Sequence, residues 1–414
     1  FNYPPRYCLL VAESAKGIRL QNVLARRGKM KRAINNALVR TRNGVNRLSR
    51  ALIGSEATRK LLVVRYYQLK IAAHNAMRKK AANDIKSLMS WRTAMKCRID
   101  FSSEVYRGNA LYGLGRVLRN YCGVVDSPKA CIEHGVHFGE YVNQSETDKS
   151  ELPALFTLSP YRLEQIRKAS SVPVCIVGPY IAYSKDYLDN KSIEAIRDRL
   201  GKTILAIPSH SVRGGTVSYD YKDFINEIRR VKNAINAQTI LVMLYYQDIL
   251  NGDAAIFEDA GFVVVTCGYR EDCHFLERQR TLIKLADFTM SNSIGTHVGY
   301  CVYMGKPHYS FKQWYEYDIV LHSEKDTAKA QGELFEQEVV RDAFSSCEEA
   351  ITEQQLSICK KYWGFDYVKS KEEMRLILDM CSKAYAAPPC ARQSRLRTEL
   401  EKHENEKIRQ LFCC

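Results

Sequence analysis

From about residue 100 to residue 310 the chain alternates between short apolar, β-branched runs and longer stretches whose apolar residues recur every three or four positions. The first pattern predicts buried strands and the second amphipathic helices. In order, SSEVYRGNALYGLGRVLRNY predicts a helix, SPKACIEHGV and ALFTLS strands, PYRLEQIRKAS a helix and VPVCIVGPYI a strand. A second series follows: KTILAIPSH strand, YKDFINEIRRVKNAIN helix, TILVMLYYQDI strand, GDAAIFEDAG helix, FVVVTCG strand, CHFLERQRTLIKLAD helix and FTMSNS strand. Strands that are apolar along their whole length, separated by helices, imply parallel sheets covered on both faces. Two such series joined near Tyr180 to Leu200 predict an α/β protein of two Rossmann-like lobes with a cleft between them. The expected divisions are a basic helical region at 1–100 belonging to the first lobe, the rest of that lobe at 101–190, a second lobe at 191–334, and C-terminal helices at 335–414 bracing the lobes.

Charge changes the picture for the first hundred residues. They hold 23 Lys+Arg against 4 Asp+Glu, whereas the other 314 hold 39 against 42, so the net charge of +16 is entirely local. From about Gly17 to Trp91 the basic residues are interleaved with apolar ones at helical spacing, with Gly44 and Gly54 as breaks. Such a segment can present a solvated face, lie on anionic lipid or bind nucleic acid. No zinc-finger spacing, RNP-like aromatic motif or GXXG clamp accompanies it, so nucleic acid is not expected and an anionic membrane surface is the expected partner. No apolar run reaches the roughly 18 residues of a membrane span, and the first residues lack the order of a signal peptide. The expected location is cytoplasmic, peripheral on the inner face of the cell membrane. The fourteen cysteines are dispersed, often within apolar runs, and form no CxxC pair; buried free thiols and no metal are expected.

In open α/β sheets ligands bind beyond the carboxyl ends of the strands, so the residues that follow each predicted strand are the candidates for chemistry. They are polar throughout: Glu133, His134, Gly135 and His137; Ser209, His210 and Ser211; Gln247 and Asp248; Glu271, Asp272 and His274; Ser291, Asn292 and Ser293. The densest segment is ADFTMSNSIGTHVGYCVYMGKPHY, where a strand ends at Ser291 to Ser293, Gly295 allows close backbone approach and a helix begins near Thr296. Free amide groups and the dipole at such a helix start favour phosphate. Gly305 closes that helix, and Lys306 and His308 open the next strand. Neither a Walker loop nor a GxGxxG fingerprint is present.

The succession of EHGVHFGEY, SPYRLEQIRKASSVPVCIVGPYIAY, IPSHS and SNSIGTHVGYCVYMGKPHY resembles a bacterial group of capsule and surface-polysaccharide proteins. That group is similar in outline to GT-B glycosyltransferases, including the CDP-glycerol polymerases and the sialyl- and Kdo-transferases. The resemblance covers about residues 125 to 310 and departs from the group in having few strands in its first lobe. It implies transfer of a sugar from a nucleotide-activated donor to a polysaccharide or lipid-linked acceptor. His134 and Gly135, with His137, would face the acceptor, and Ser291, Asn292, Ser293, Gly295 and Thr296 would hold the nucleotide phosphates. Ser209, His210 and Ser211 fall on the donor side, and His297, His308 and Lys306 would help neutralise the leaving phosphate. Inversion needs a base, for which His134 comes first with Glu133 or Asp248 behind it; retention would need a carboxylate nucleophile, Asp248 or Asp272. No cofactor and no metal are expected, since there is no DxD motif. A nucleotide-sugar epimerase of the same fold and a non-enzymatic membrane- or nucleic-acid-binding protein are the alternatives.

Overall fold

In the computed structural model the described residues are 56–80, 84–143, 146–147, 151–211, 215–319, 336–402 and 411–412. Most of the predicted basic helical region, residues 1–55, lies outside them. Residues 1–67 and 68–414 form separate units, and of the first only the start of helix α1 (Glu56–Asn75) is described. Two short helices follow, α2 (Ile85–Met89) and α3 (Trp91–Lys96).

The apolar runs become two parallel sheets. The smaller has the order β1-β2-β3, with β1 Cys131–Ile132, β2 Leu155–Thr157 and β3 Val174–Ile176. The larger contains β4 (Thr203–Ile207), β6 (Thr239–Met243), β7 (Val263–Val265), β8 (Phe288–Ser291) and β9 (His308–Ser310), in the order β7-β6-β4-β8-β9. All its pairings are parallel, with Leu205 level with Leu241 on one side and Thr289 on the other. The central β4 is buried at every position, as a strand covered on both faces must be. The chain is therefore α/β with parallel sheets.

Helix starts follow the local chemistry. Helix α5 (Pro160–Ala169) begins with proline at its first turn and Ser159 as cap, and α6 (Asn190–Leu200) is capped by Asp189. In α7 (Tyr221–Ala234), capped by Asp220, the buried residues Phe224, Ile225, Ile228 and Val231 form one stripe at helical spacing. The remaining helices of this part are α8 (Tyr246–Asn251), α9 (Ala254–Asp259), α10 (Phe275–Leu285) and α11 (Thr296–Tyr303).

Four features depart from the sequence pattern. The helix expected over 102–121 is broken: a 3-10 segment, Arg107–Gly113, precedes α4 (Leu114–Cys122), because Leu111 is extended and Tyr112 and Gly113 are left-handed. The expected long strand through TILVMLYYQDI stops at Met243, and Tyr246 to Asn251 turn into α8. The segment expected as a joint, 180–200, contains a 3-10 turn and α6. An antiparallel pair, β5 (Gly215–Tyr219) with β10 (Tyr315–Ile319), was not predicted, since its partners lie about a hundred residues apart.

A single apolar cluster runs through both parallel sheets, containing Phe156 and Cys175 of the smaller and Leu205 and Met243 of the larger. The C-terminal helices α12 (Glu353–Trp363), α13 (Lys371–Tyr385) and α14 (Arg392–Glu401) contribute Trp363, Ile377 and Leu396 to it. Trp363 at the end of α12 lies against Gly299 of α11, where any Cβ would stand 2.3 Å from the indole. Arg375 of α13 donates from Nε to the Cys122 carbonyl at 3.0 Å. None of the described helices is long and apolar enough to cross a membrane.

Candidate functional site

A cavity of about 230 Å³ opens at the carboxyl ends of the strands. Residues following β1, β4, β6, β7 and β8 all reach it: His134 and Gly135; Pro208 and His210; Leu244 and Tyr245; Cys267; Ser293 to His297. Tyr112 and Leu114 from the helix break, Phe275, Leu276 and Gln279 from α10 and Tyr300 from α11 complete the wall. This is the crevice that parallel strand topology creates, since successive strand-to-helix turns converge there. None of these lining residues is Lys, Arg, Asp or Glu.

The start of α11 forms one side. Its cap is Gly295, so no side chain occupies the first amides, in contrast with the hydroxyl- or carboxylate-capped starts of α5, α6, α7, α12 and α13. Gly295 itself is extended, and a Cβ there would sit 3.3 Å from the His297 ring. Two contacts fix this turn from outside. Val136 donates its amide to Thr296 Oγ1 at 3.0 Å, and Trp363 Nε1 donates to the Thr296 carbonyl at 3.1 Å. Gly135 makes the first contact attainable, because its backbone is left-handed (φ 66°) and a Cβ would fall 2.2 Å from Thr296 Oγ1.

His134, His210 and His297 all line the cavity. His134 donates from Nε2 to the Gly108 carbonyl at 2.9 Å, and its Nδ1 lies 3.7 Å from Glu146. His210 donates from Nδ1 to the Ser211 carbonyl at 3.2 Å and leans against Tyr245, ring centroids 4.7 Å apart. The third, His297, is buried and its Nε2 has no hydrogen-bond partner. Burial, and then the nearby His210, push its pKa down to about 3.

Several of the other expected site residues are placed elsewhere. Glu133 is buried behind β1, accepting from Thr157 Oγ1 at 2.6 Å and from Arg162 Nε and Nη2 at 2.8 and 2.5 Å. Burial opposes its charge, but His137 and Arg162 hold its carboxyl below the ordinary value. It is an architectural ion pair, buried and outside the cavity lining. His137 turns toward this pair, 4.0 Å from Glu133, and does not line the cavity. Asp272 is buried, 3.3 Å from Arg278 Nη1, accepts from the His274 amide at 2.9 Å, and does not line the cavity. Asn292 is spent on bracing: its Oδ1 accepts from the Ser209 amide at 2.6 Å and its Nδ2 donates to Gln313 at 2.8 Å. Ser291 and His308 bond one another inside the sheet at 3.0 Å, and the other ring nitrogen of His308 meets Thr289 Oγ1 at 2.9 Å. Lys306 stands before β9, at the amino edge of the sheet, where burial and then Arg197 lower its pKa. Neither Lys306 nor His308 lines the cavity: Lys306 precedes β9, and the His308 ring, 5.8 Å from that of His297, is held behind the lining by Ser291 and Thr289.

Asp248 on α8 lies just behind the lining. Its Oδ1 accepts from the Ser211 amide at 3.0 Å, its Oδ2 has no partner, and burial pushes its carboxyl up to about 6. Ser211 in turn accepts from the Val217 amide through Oγ, and Ser209 Oγ is buried without a partner. Sequence reasoning missed Tyr112, Tyr245, Gln279 and Tyr300, which bear on the cavity only because the chain breaks at Tyr112 and because α10 and α11 bring their inner faces to it.

Beside α10, Asp100, Cys273 and His274 bring one ligand atom each within 4.8 Å of one another, and Glu277 binds the other ring nitrogen of His274 at 2.5 Å. The Arg116 guanidinium already stands among them, bonded to Cys273, 3.3 Å from His274 Nε2 and 3.6 Å from Asp100. A cation held by the side chain thus supplies the charge that a metal would bring. Burial opposes protonation of His274, but bonds to Asp100, Cys273 and Glu277 raise its pKa to about 11.

The fold and the cavity define an α/β protein whose ligand crevice lies at the carboxyl ends of parallel strands. No protein-family model matches the chain, and no curated protein matches it in sequence. Among solved structures it is similar to the wall teichoic acid polymerase TagF. One TagF structure, of a single-residue variant, is 12% identical with a TM-score of 0.38 and covers 62% of this chain and 68% of its own. A second, soaked with CDPG, is 12% identical at 0.38 and covers 63% and 69%; a third is 13% identical at 0.34 and covers 62% and 68%.

Proposed function

We propose that this chain is a glycosyltransferase of the two-lobed GT-B kind, moving a sugar from a nucleotide-activated donor to a surface-polysaccharide or lipid-linked acceptor. The observation that carries the reading is the start of α11: a helix N-terminus capped by Gly295, with no side-chain cap, that borders a cavity at the strand ends. Its amides and dipole suit the phosphate of a leaving nucleotide, whose developing charge a preorganised set of donors stabilises without a metal. Across the cavity, His134 is the base. Its Nε2 proton is committed to Gly108, so Nδ1, 3.7 Å from Glu146, takes the acceptor's proton. The basic first hundred residues, mostly outside the described part, dock the protein on the anionic inner leaflet of the cell membrane, each Lys or Arg near the surface contributing about 1 kcal/mol.

One assay tests all three parts. The full chain is given a panel of nucleotide sugars and a lipid-linked acceptor in anionic or neutral vesicles, and nucleotide release is followed with binding by calorimetry. Transfer faster on anionic vesicles is expected, with His134→Gln lowering the rate by about 10²-fold or more at unchanged donor affinity. Binding of none of the nucleotide sugars would discard the proposal.

A further inference from the structure

The three cavity histidines differ in which ring nitrogen is committed, and that difference identifies the ligand group each can take. A carbonyl oxygen only accepts, so the nitrogen facing it must carry the proton. His210 gives its Nδ1 proton to the Ser211 carbonyl. At His297 the nearby Ser293 carbonyl favours a proton on the ring, and because Nε2 has no partner that proton is assigned to Nδ1. In both neutral rings Nε2 is left as a lone pair, and both rings line the cavity. At His297 that lone pair is buried and orphaned, a condition that costs free energy unless a ligand fills it.

A phosphate oxygen cannot fill it, since a deprotonated phosphate also only accepts. We infer that His297, with His210 beside it, binds the neutral hydroxyl-bearing part of the ligand, accepting hydrogen bonds from polyol hydroxyls through Nε2, while the phosphate keeps to the backbone amides of α11. This rests on the cavity being the ligand site of the proposed function. The absence of Lys, Arg, Asp and Glu from the lining agrees with an uncharged occupant. His297, held neutral by burial with a pKa of about 3, is too weak a base to remove the hydroxyl proton. Its role is therefore to select and orient.

The test uses full-length protein with ¹⁵N-labelled histidine rings, the His297 signals assigned by their loss in His297→Gln. At pH 7 the expected spectrum has the proton on Nδ1 and a bare Nε2, whose resonance moves when glycerol or glucose is added and stays in place with inorganic pyrophosphate. His297→Phe should weaken glucose binding about tenfold, the worth of one buried hydrogen bond, and leave pyrophosphate binding within about twofold, while His297→Gln, which keeps an acceptor oxygen, restores glucose binding. A proton on Nε2, or an Nε2 that ignores both polyols, or one that responds to pyrophosphate alone, overturns the inference. A polyol response in a protein that binds no nucleotide sugar would discard the glycosyltransferase reading and keep this one. Nucleotide-sugar binding with a silent His297 would do the reverse.

Discussion

At the end of β1 and at the end of the larger sheet the chain buries its carboxylates in opposite ways. Behind β1 both oxygens of Glu133 are bonded, to Thr157 and Arg162, although Arg162 Nη1 is itself buried without a partner. At the carboxyl edge of the larger sheet, Ser209 Oγ, Asp248 Oδ2, His297 Nε2 and Ser310 Oγ are buried with nothing to bond. They are four of the ten such atoms among the described residues, gathered at one edge of one sheet. Buried polar groups in folded proteins are overwhelmingly paired, so the first arrangement is the rule and the second needs a cause. The difference separates groups that hold the fold from groups held ready for a ligand, although in sequence all of them are simply polar residues after apolar runs.

The comparison breaks first at the satisfied end. Replacing Arg162 by Leu strands the Glu133 carboxylate in the interior and should cost about 3–5 kcal/mol, read from denaturant unfolding; a loss below about 1 kcal/mol would make Glu133 as dispensable as an exposed ion pair.

At the orphaned edge the sign should reverse. The folded Asp248 carboxyl titrates at about 6 against 3.8 for the free group, so folding favours its protonated form. That contribution is complete below pH 3.8 and is lost as pH rises through 6, leaving a penalty of roughly 2–3 kcal/mol at pH 8. Asp248→Asn should remove the decline, raising stability at pH 8 by up to that amount and changing it little at pH 4. Paired melts of wild type and variant at the two pH values decide it: equal differences at both would mean that Asp248 is already ionised without cost.

The smallest effect is expected at the amino edge. Lys306→Gln should leave nucleotide-sugar affinity within about twofold by calorimetry, the 0.5 kcal/mol typical of a substitution away from a site. A tenfold loss would return Lys306 to the phosphate.

Much of the fold was legible in the chain. The apolar runs ending at Ile132, Ile207, Met243, Val265 and Ser291 are strands, and of the polar residues after them His134, His210 and Ser293 line one cavity while Glu133, His137, Asp272 and Asn292 do not. The start of α11 at Thr296 was legible from Gly295. Pairing was not. Nothing local links Glu133 to Arg162, His308 to Thr289 and Ser291, or Asn292 to Ser209 and Gln313. The left-handed Tyr112 that turns a phenol into the cavity wall looks, in sequence, like one more position in a helix.

The indole of Trp363 has a consequence in the order of synthesis. Thr296 is fastened on one side to Val136, 160 positions earlier, and on the other to Trp363, 67 positions later. A ribosome delivers these partners in sequence, so all the strands of both parallel sheets emerge before the residue that caps the Thr296 carbonyl and fills the space beside Gly299. Until Trp363 arrives, the wall of the cavity stands open on its outer side, exposing apolar surface of the kind that invites misassembly in partly made chains. The Thr296 turn is thus finished only after every strand of the two parallel sheets, and a nascent chain that stalls before residue 363 holds those strands yet lacks the indole that braces the turn.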